Sequence, residues 1–169
     1  MRKTSLHLLL AVLLLLAAQA AFAADQITVT VTLQQVGVSV SPTSWALDTM
    51  APGAVQSSWV SGNAGHFAAT NDGNVAQDLT IAAGATSPSA WAAGSSSAVD
   101  VYVIGFGIGS GDYTSEPTYT TFTTATSLAT SVDAEGTVDF DLQFTAPATG
   151  STVGPGAETF TVSLAASAS

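Results

Sequence analysis

Strict alternation of apolar and polar residues governs two segments of this chain and commits both to extended structure. In the first, Ile27, Val29, Val31 and Leu33 alternate with Thr28, Thr30 and Thr32. In the second, Val138, Phe140, Leu142 and Phe144 alternate with Asp139, Asp141 and Gln143. Successive side chains of a strand point to opposite faces, so a period of two gathers the apolar set on one face. The same order wound into a helix would scatter that set around the circumference. Each segment therefore predicts a strand with one face ready for a core.

Shorter pieces repeat the rhythm. Val36, Val38 and Val40 alternate after Gln34-Gln35, where a phase shift implies a bulge or kink. Trp45 and Leu47 predict a short strand that stops at the turn Ala51-Pro52-Gly53. Val55–Val60 and His66–Thr70 predict strands on either side of Ser61-Gly62-Asn63-Ala64-Gly65, and Asn71-Asp72-Gly73-Asn74 predicts a turn before Leu79 and Ile81. Val99–Phe106 is an unbroken apolar run, expected to be buried on both faces. Gly105, Gly107, Gly109 and Gly111 then lead into a long loop through Pro117. Tyr119–Thr123, Leu128–Val132 and Phe160–Leu164 complete the predicted strands. Gly, Ser and Pro interrupt every Ala-rich stretch, so no amphipathic helix of three turns is predicted. The expectation is an all-β chain folded as a single antiparallel β-sandwich, immunoglobulin-like or jelly-roll. Its inward face should include Val29, Val31, Trp45, Leu79, Ile81, Val101, Val103, Phe140, Leu142, Phe144, Val162 and Leu164.

Charge narrows the function. The only Lys and Arg are Arg2 and Lys3, which precede the apolar run Leu8–Ala18 and the small-x-small site Ala21-Phe22-Ala23. This order reads as a secretory signal peptide over residues 1–23, leaving a β-sandwich domain over 24–169. The apolar run is short for a membrane span, which favours cleavage; an uncleaved membrane anchor is the other reading of the same residues. The predicted location is therefore extracellular or cell-surface, or the periplasm. Beyond Ala23 there are twelve carboxylates, one histidine, and no Lys, Arg or Cys. Nothing there can neutralise phosphates, which argues against nucleic acid and against anionic membranes as partners. Without cysteine, stability must come from apolar burial, for which one domain of this length suffices.

Few residues offer chemistry. His66 lacks a second histidine or any cysteine with which to build a zinc site, and reads as a strand histidine. Asp139 and Asp141 share one strand face and could in principle form a glycosidase pair, but that face lies opposite Phe140 and Leu142 and reads as solvated. Asp72, Asn74 and Asp78 are hard oxygen donors of the kind calcium takes, yet position 76 is Ala and no bidentate Glu follows at the required spacing. An Asn-Gly-type turn explains the same residues. Asp112 and Glu116 form a second possible calcium pair. Trp45, Trp59 and Trp91 could stack on sugar rings or pack in the core. The chain is thus expected to be non-catalytic and to need no cofactor, calcium apart.

Trp45-Ala-Leu47, Ala51-Pro52-Gly53-Ala54, Ala69-Thr70-Asn71-Asp72-Gly73-Asn74-Val75 and Asp78-Leu79-Thr80-Ile81 resemble exported bacterial and archaeal immunoglobulin-like surface domains. Leu142-Gln143-Phe144-Thr145-Ala146-Pro147 and Phe160–Leu164 have the same character. In general plan the chain is similar to TasA-type matrix-fibre subunits and archaeal bundling pilins. That resemblance implies a cysteine-free sandwich whose N-terminal strand is donated to the next subunit, and it carries over no catalytic residue. Residues 24–33 are then a possible donor strand, with Ile27, Val29, Val31 and Leu33 as its interaction residues. The first strand of the chain's own sandwich is the other reading of the same residues. The function expected is a secreted structural subunit of a fibre, matrix or surface layer, self-associating into polymers by β-strand addition. The alternative is a β-sandwich module that binds a glycan or another cell-surface ligand.

Overall fold

The computed structural model describes residues 28–60, 66–88, 90–109, 113–149 and 157–169. The predicted leader (residues 1–23), Ile27 and Asp112 lie outside the described residues. The chain divides into residues 1–33 and residues 34–169. Among its described residues the second unit has ten strands: β1 (Val38–Ser41), β2 (Val55–Ser57), β3 (Phe67–Asn71), β4 (Gln77–Ala83), β5 (Ala92–Ala93), β6 (Val101–Gly107), β7 (Thr120–Thr121), β8 (Thr126–Val132), β9 (Thr137–Thr145) and β10 (Val162–Ala168). No helix occurs among the described residues. The fold is all-β, with two sheets packed together as a β-sandwich.

The larger sheet has the order β1-β3-β9-β6-β5, with β2 added on β9 and β7 on β6. The smaller sheet is β10-β4-β8. All pairings are antiparallel except the two-residue β5–β6 contact. β9 organises the larger sheet: Phe67 pairs with Phe140 on one side, while Ile104 and Phe106 pair with Phe144 and Leu142 on the other. Because paired residues project to the same face, these aromatic and aliphatic side chains form one wall of the core. Phe67 stacks on Phe140 (ring centroids 5.5 Å apart), and Tyr102 stacks on Phe144 at the same separation. Leu79 and Ile81 of β4 and Leu128 and Val132 of β8 are buried in the same core.

The predicted inward face is therefore correct for Leu79, Ile81, Phe140, Leu142 and Phe144, and needs amendment elsewhere. In β6 the phase is opposite to the prediction: Tyr102 and Ile104 are fully buried, whereas Val101 and Val103 are half-buried on the other face. An unbroken apolar run has no period, so its phase cannot be read from the sequence. The predicted Trp45–Leu47 strand is absent, although both side chains pack against the core. Val162 and Leu164 are half-buried.

Gly105 and Gly107 have a packing role rather than loosening the chain. A Cβ on Gly107 would lie 2.8 Å from Pro117 Cγ, and one on Gly105 would lie 3.2 Å from the Thr120 carbonyl oxygen. The missing side chains let the segment 117–120 cross the outer face of β6.

Two buried amides join the layers at one end. Asn71 Nδ2 reaches the carbonyl oxygens of Val75, Val132 and Asp133 at 2.8–3.0 Å, and Asn71 Oδ1 accepts the Gly73 N–H at 2.8 Å. The buried Gln77 amide also contacts Asn71 Oδ1. Buried polar groups are tolerated only when so satisfied. Here the bonds pin the β3–β4 turn to the end of β8.

Candidate functional site

Residues 28–33 carry the strongest uninterrupted alternation after β9, yet none of them is in a strand. Val29, Val31 and Leu33 are 78%, 74% and 80% exposed. This overturns the expectation that Val29 and Val31 face the core of their own sandwich. Alternation creates a face that can be buried, but burial needs a sheet edge to pair with, and the sequence of one strand does not specify which edge. The result is a row of large apolar side chains in water, spaced two residues apart and separated by uncharged threonines. On the C-terminal side of this segment, Gln35 is held firmly. Its N–H donates to Asn74 Oδ1 (2.8 Å) and its carbonyl accepts from the Asn74 N–H (3.2 Å).

The calcium candidates serve as hydrogen-bond acceptors for separate neighbours. Asp72 Oδ1 accepts from Ser39 Oγ at 3.1 Å, Asn74 Oδ1 from Gln35, and Asp78 Oδ1 from the Ser131 N–H (2.9 Å) and Ser169 Oγ (3.0 Å). Three different segments thus draw on these three groups. Among the described residues, no group of three or more His, Cys, Asp or Glu is arranged to hold a metal ion.

Asp141 departs from expectation. The face predicted to be solvated is covered, leaving Asp141 2% exposed and Asp139 half-buried. Ser58 Oγ donates to Asp141 Oδ1 at 2.8 Å while accepting the Leu142 N–H at 2.9 Å. The His66 backbone N–H donates to the same carboxylate oxygen at 3.0 Å. Ser, His and Asp therefore meet here, but the serine proton points at the carboxylate. His66 contributes its main chain, with its ring set edge-on to Phe67 (centroids 4.7 Å apart). In a nucleophilic triad the imidazole would stand between the other two side chains. What this arrangement does is tie Ser58, just after β2, and His66, just before β3, to the outer face of β9 through one shared carboxylate oxygen. Ser58 and Asp141 are 83 residues apart, so no spacing motif could have paired them.

Glu116, the described member of the second calcium pair, accepts a hydrogen bond from the Tyr119 hydroxyl at 3.1 Å. Burial chiefly pushes the Tyr119 phenol well above its ordinary range. The Glu116 carboxylate adds to the rise, and a hydrogen bond with Ser57 opposes it. Trp45, Trp59 and Trp91 are all half-buried, and Trp45 and Trp91 pack against the core.

Comparison of the chain with protein-family models, curated proteins and solved structures finds no match.

Proposed function

We propose that this chain is a secreted, non-catalytic subunit of an extracellular fibre, matrix or surface layer, polymerising by β-strand addition through residues 27–33. One observation carries the reading: Val29, Val31 and Leu33 are among the most exposed large apolar side chains of the described residues, and they stand in strict strand period. Burying such side chains is worth about 1.5–3 kcal/mol each, so three contribute about 5–9 kcal/mol before the cost of ordering the segment. Backbone hydrogen bonds to a sheet edge add register and direction. The interleaved Thr28, Thr30 and Thr32 carry no charge, whereas strands that must stay unpaired are usually guarded by Lys, Pro or a bulge. The twelve carboxylates beyond Ala23, with no Lys or Arg to offset them, supply the opposing force and make assembly sensitive to salt.

The test is polymer size, by light scattering and electron microscopy, for residues 24–169, for a variant lacking residues 24–33, and for Val31→Asp. The parent should form large assemblies that grow with salt, and both variants should remain small. Variants that assemble like the parent, or a parent that is monomeric at every salt concentration, would refute strand addition.

A further inference from the structure

We propose that the edge of β10 is the acceptor for residues 28–33 of a second copy of the chain, an inference that rests on the strand-addition reading above. The smaller sheet has two edges, and they are built differently. On the β8 edge, the register against β4 slips between Gln77 and Leu79 and again between Leu79 and Thr80. Ser131 in that strand has a φ of 51° and gives its N–H to Asp78. Its inward residues Leu128 and Val132 are buried. Bulges and local twist of this kind close an edge to further pairing.

The β10 edge has none of these devices. Its register with β4 is unbroken from Val162 opposite Ala83 to Ala168 opposite Gln77, and it contains neither a charge nor a proline. Its inward residues Val162, Leu164 and Ala166 pack against the core but stay half-buried. β1, the edge strand of the other sheet, lies beside β10, and its Val38 and Val40 are half-buried too. An incompletely covered apolar strip therefore runs between the two sheet edges.

The backbone along this strip is oriented for pairing. Gly84 N–H donates to the Thr161 carbonyl (3.0 Å), and Ser169 N–H donates to the Ala76 carbonyl (3.1 Å). Bonds in an antiparallel ladder alternate, so the odd-numbered residues of β10 bond to β4. The N–H and C=O groups of Val162, Leu164 and Ala166 consequently point away from β4, toward the open edge.

Residues 28–33 match this edge in length, period and charge. Extended, six residues span roughly 20 Å at about 3.3 Å per residue, within the reach of the seven-residue β10. Paired there, Val29, Val31 and Leu33 would project onto the strip lined by Val162, Leu164 and Ala166. Charge favours a second copy meeting along these two strips. With twelve carboxylates and no Lys or Arg beyond Ala23, most pairs of surfaces on two copies repel each other. Neither β10 nor residues 28–33 contain an ionisable side chain, so their contact desolvates no carboxylate.

The test uses two variants that disable opposite halves of the contact. Val31→Asp spoils the donor. Ala166→Pro removes one outward N–H from β10 and leaves its bonds to β4 in place, as proline is tolerated on an edge strand. Each variant alone should stay monomeric by light scattering. An equimolar mixture should give a dimer that grows no further, because one intact donor meets one intact edge. If Ala166→Pro has the parent's circular dichroism spectrum and still polymerises while Val31→Asp does not, the donor stands and β10 is not its acceptor. If Val31→Asp polymerises like the parent, strand addition through this segment fails, and the acceptor with it. Hydrogen exchange decides the matter even if Ala166→Pro does not fold. On assembly of the parent, the Leu164 and Ala166 amides should exchange at least tenfold more slowly than in monomeric Val31→Asp. Unchanged exchange there, or slowing on β8 instead, overturns the proposal. So does a monomeric parent in which those two amides are already protected and are released by Val31→Asp, because the segment then closes its own sandwich.

Discussion

Residues 27–33 and residues 138–144 have nearly the same binary pattern, and the molecule uses them in opposite ways. The second becomes β9, the strand on which the larger sheet is organised, with partners along both edges and cover on both faces. Of the first, residues 28–33 form no strand, and their apolar side chains face water. Local propensity favours the first segment if anything, since β-branched residues occupy nearly all of it. The difference shows that alternation is a capacity for burial, and that the partner supplies the burial. It also separates two kinds of apolar residue, those buried in the core of the domain and those left exposed.

That contrast can be tested residue by residue. Phe140→Ala should cost about 3–5 kcal/mol, because Phe140 is buried against Phe67 at the centre of the core; urea unfolding of the monomer checks it. A cost under 1 kcal/mol would mean that β9 is no more essential than residues 28–33. Asp141→Ala should cost about 1.5–3 kcal/mol by the same measurement, since it strands the Ser58 hydroxyl and the His66 N–H without their shared acceptor. A neutral result would return the outer face of β9 to the solvated state the sequence suggested. Gly73→Ala should cost about 1–3 kcal/mol, because the added Cβ would clash with the Gln77 side-chain amide and the Gln35 carbonyl oxygen. It should also speed exchange of the Gln35 amide, loosening the anchor that follows residues 28–33.

Alkaline pH probes the same core from another direction. Tyr102 stacks on Phe144, packs at a tilt against Phe160, donates its hydroxyl proton to the Gly84 carbonyl, and has its phenol pushed up to about 12 by burial. A folded-state value above the unfolded one favours the neutral phenol, so this contribution is complete below pH 10. It is lost as pH rises from 10 through 12, by an amount on the order of 2–3 kcal/mol. Tyr102→Phe should cost about 1 kcal/mol at pH 7 and flatten the alkaline fall in melting temperature. The smallest effect belongs to Val31→Ser, which should leave monomer stability within about 0.5 kcal/mol of the parent, because Val31 is 74% exposed and so buries little surface that the change could lose.

Much of the core was legible before any coordinates. Phe140, Leu142, Phe144, Leu79 and Ile81 announce themselves because a period of two maps directly onto the faces of a strand. The Asn71-Asp72-Gly73-Asn74 turn was equally plain from its residue types. The roles within that turn were not. Asn71 looks like an ordinary turn residue, and only its position beneath β8 makes its amide a buried hub for three carbonyls. Asp141 looked solvated because alternation identifies which face a residue is on and is silent about what crosses that face.

From its sequence alone this chain was committed to β structure, to stability without disulfides, and to an acidic surface poor in cations. Periodicity and side-chain chemistry are local properties, written out in order along the chain. Tertiary structure decided which of two alternating segments entered the core, which face of β6 turned inward, and on which side of β4 the register slipped. These are choices among partners far apart in sequence, settled by the geometry of the assembled sheets, and no window of neighbouring residues contains them.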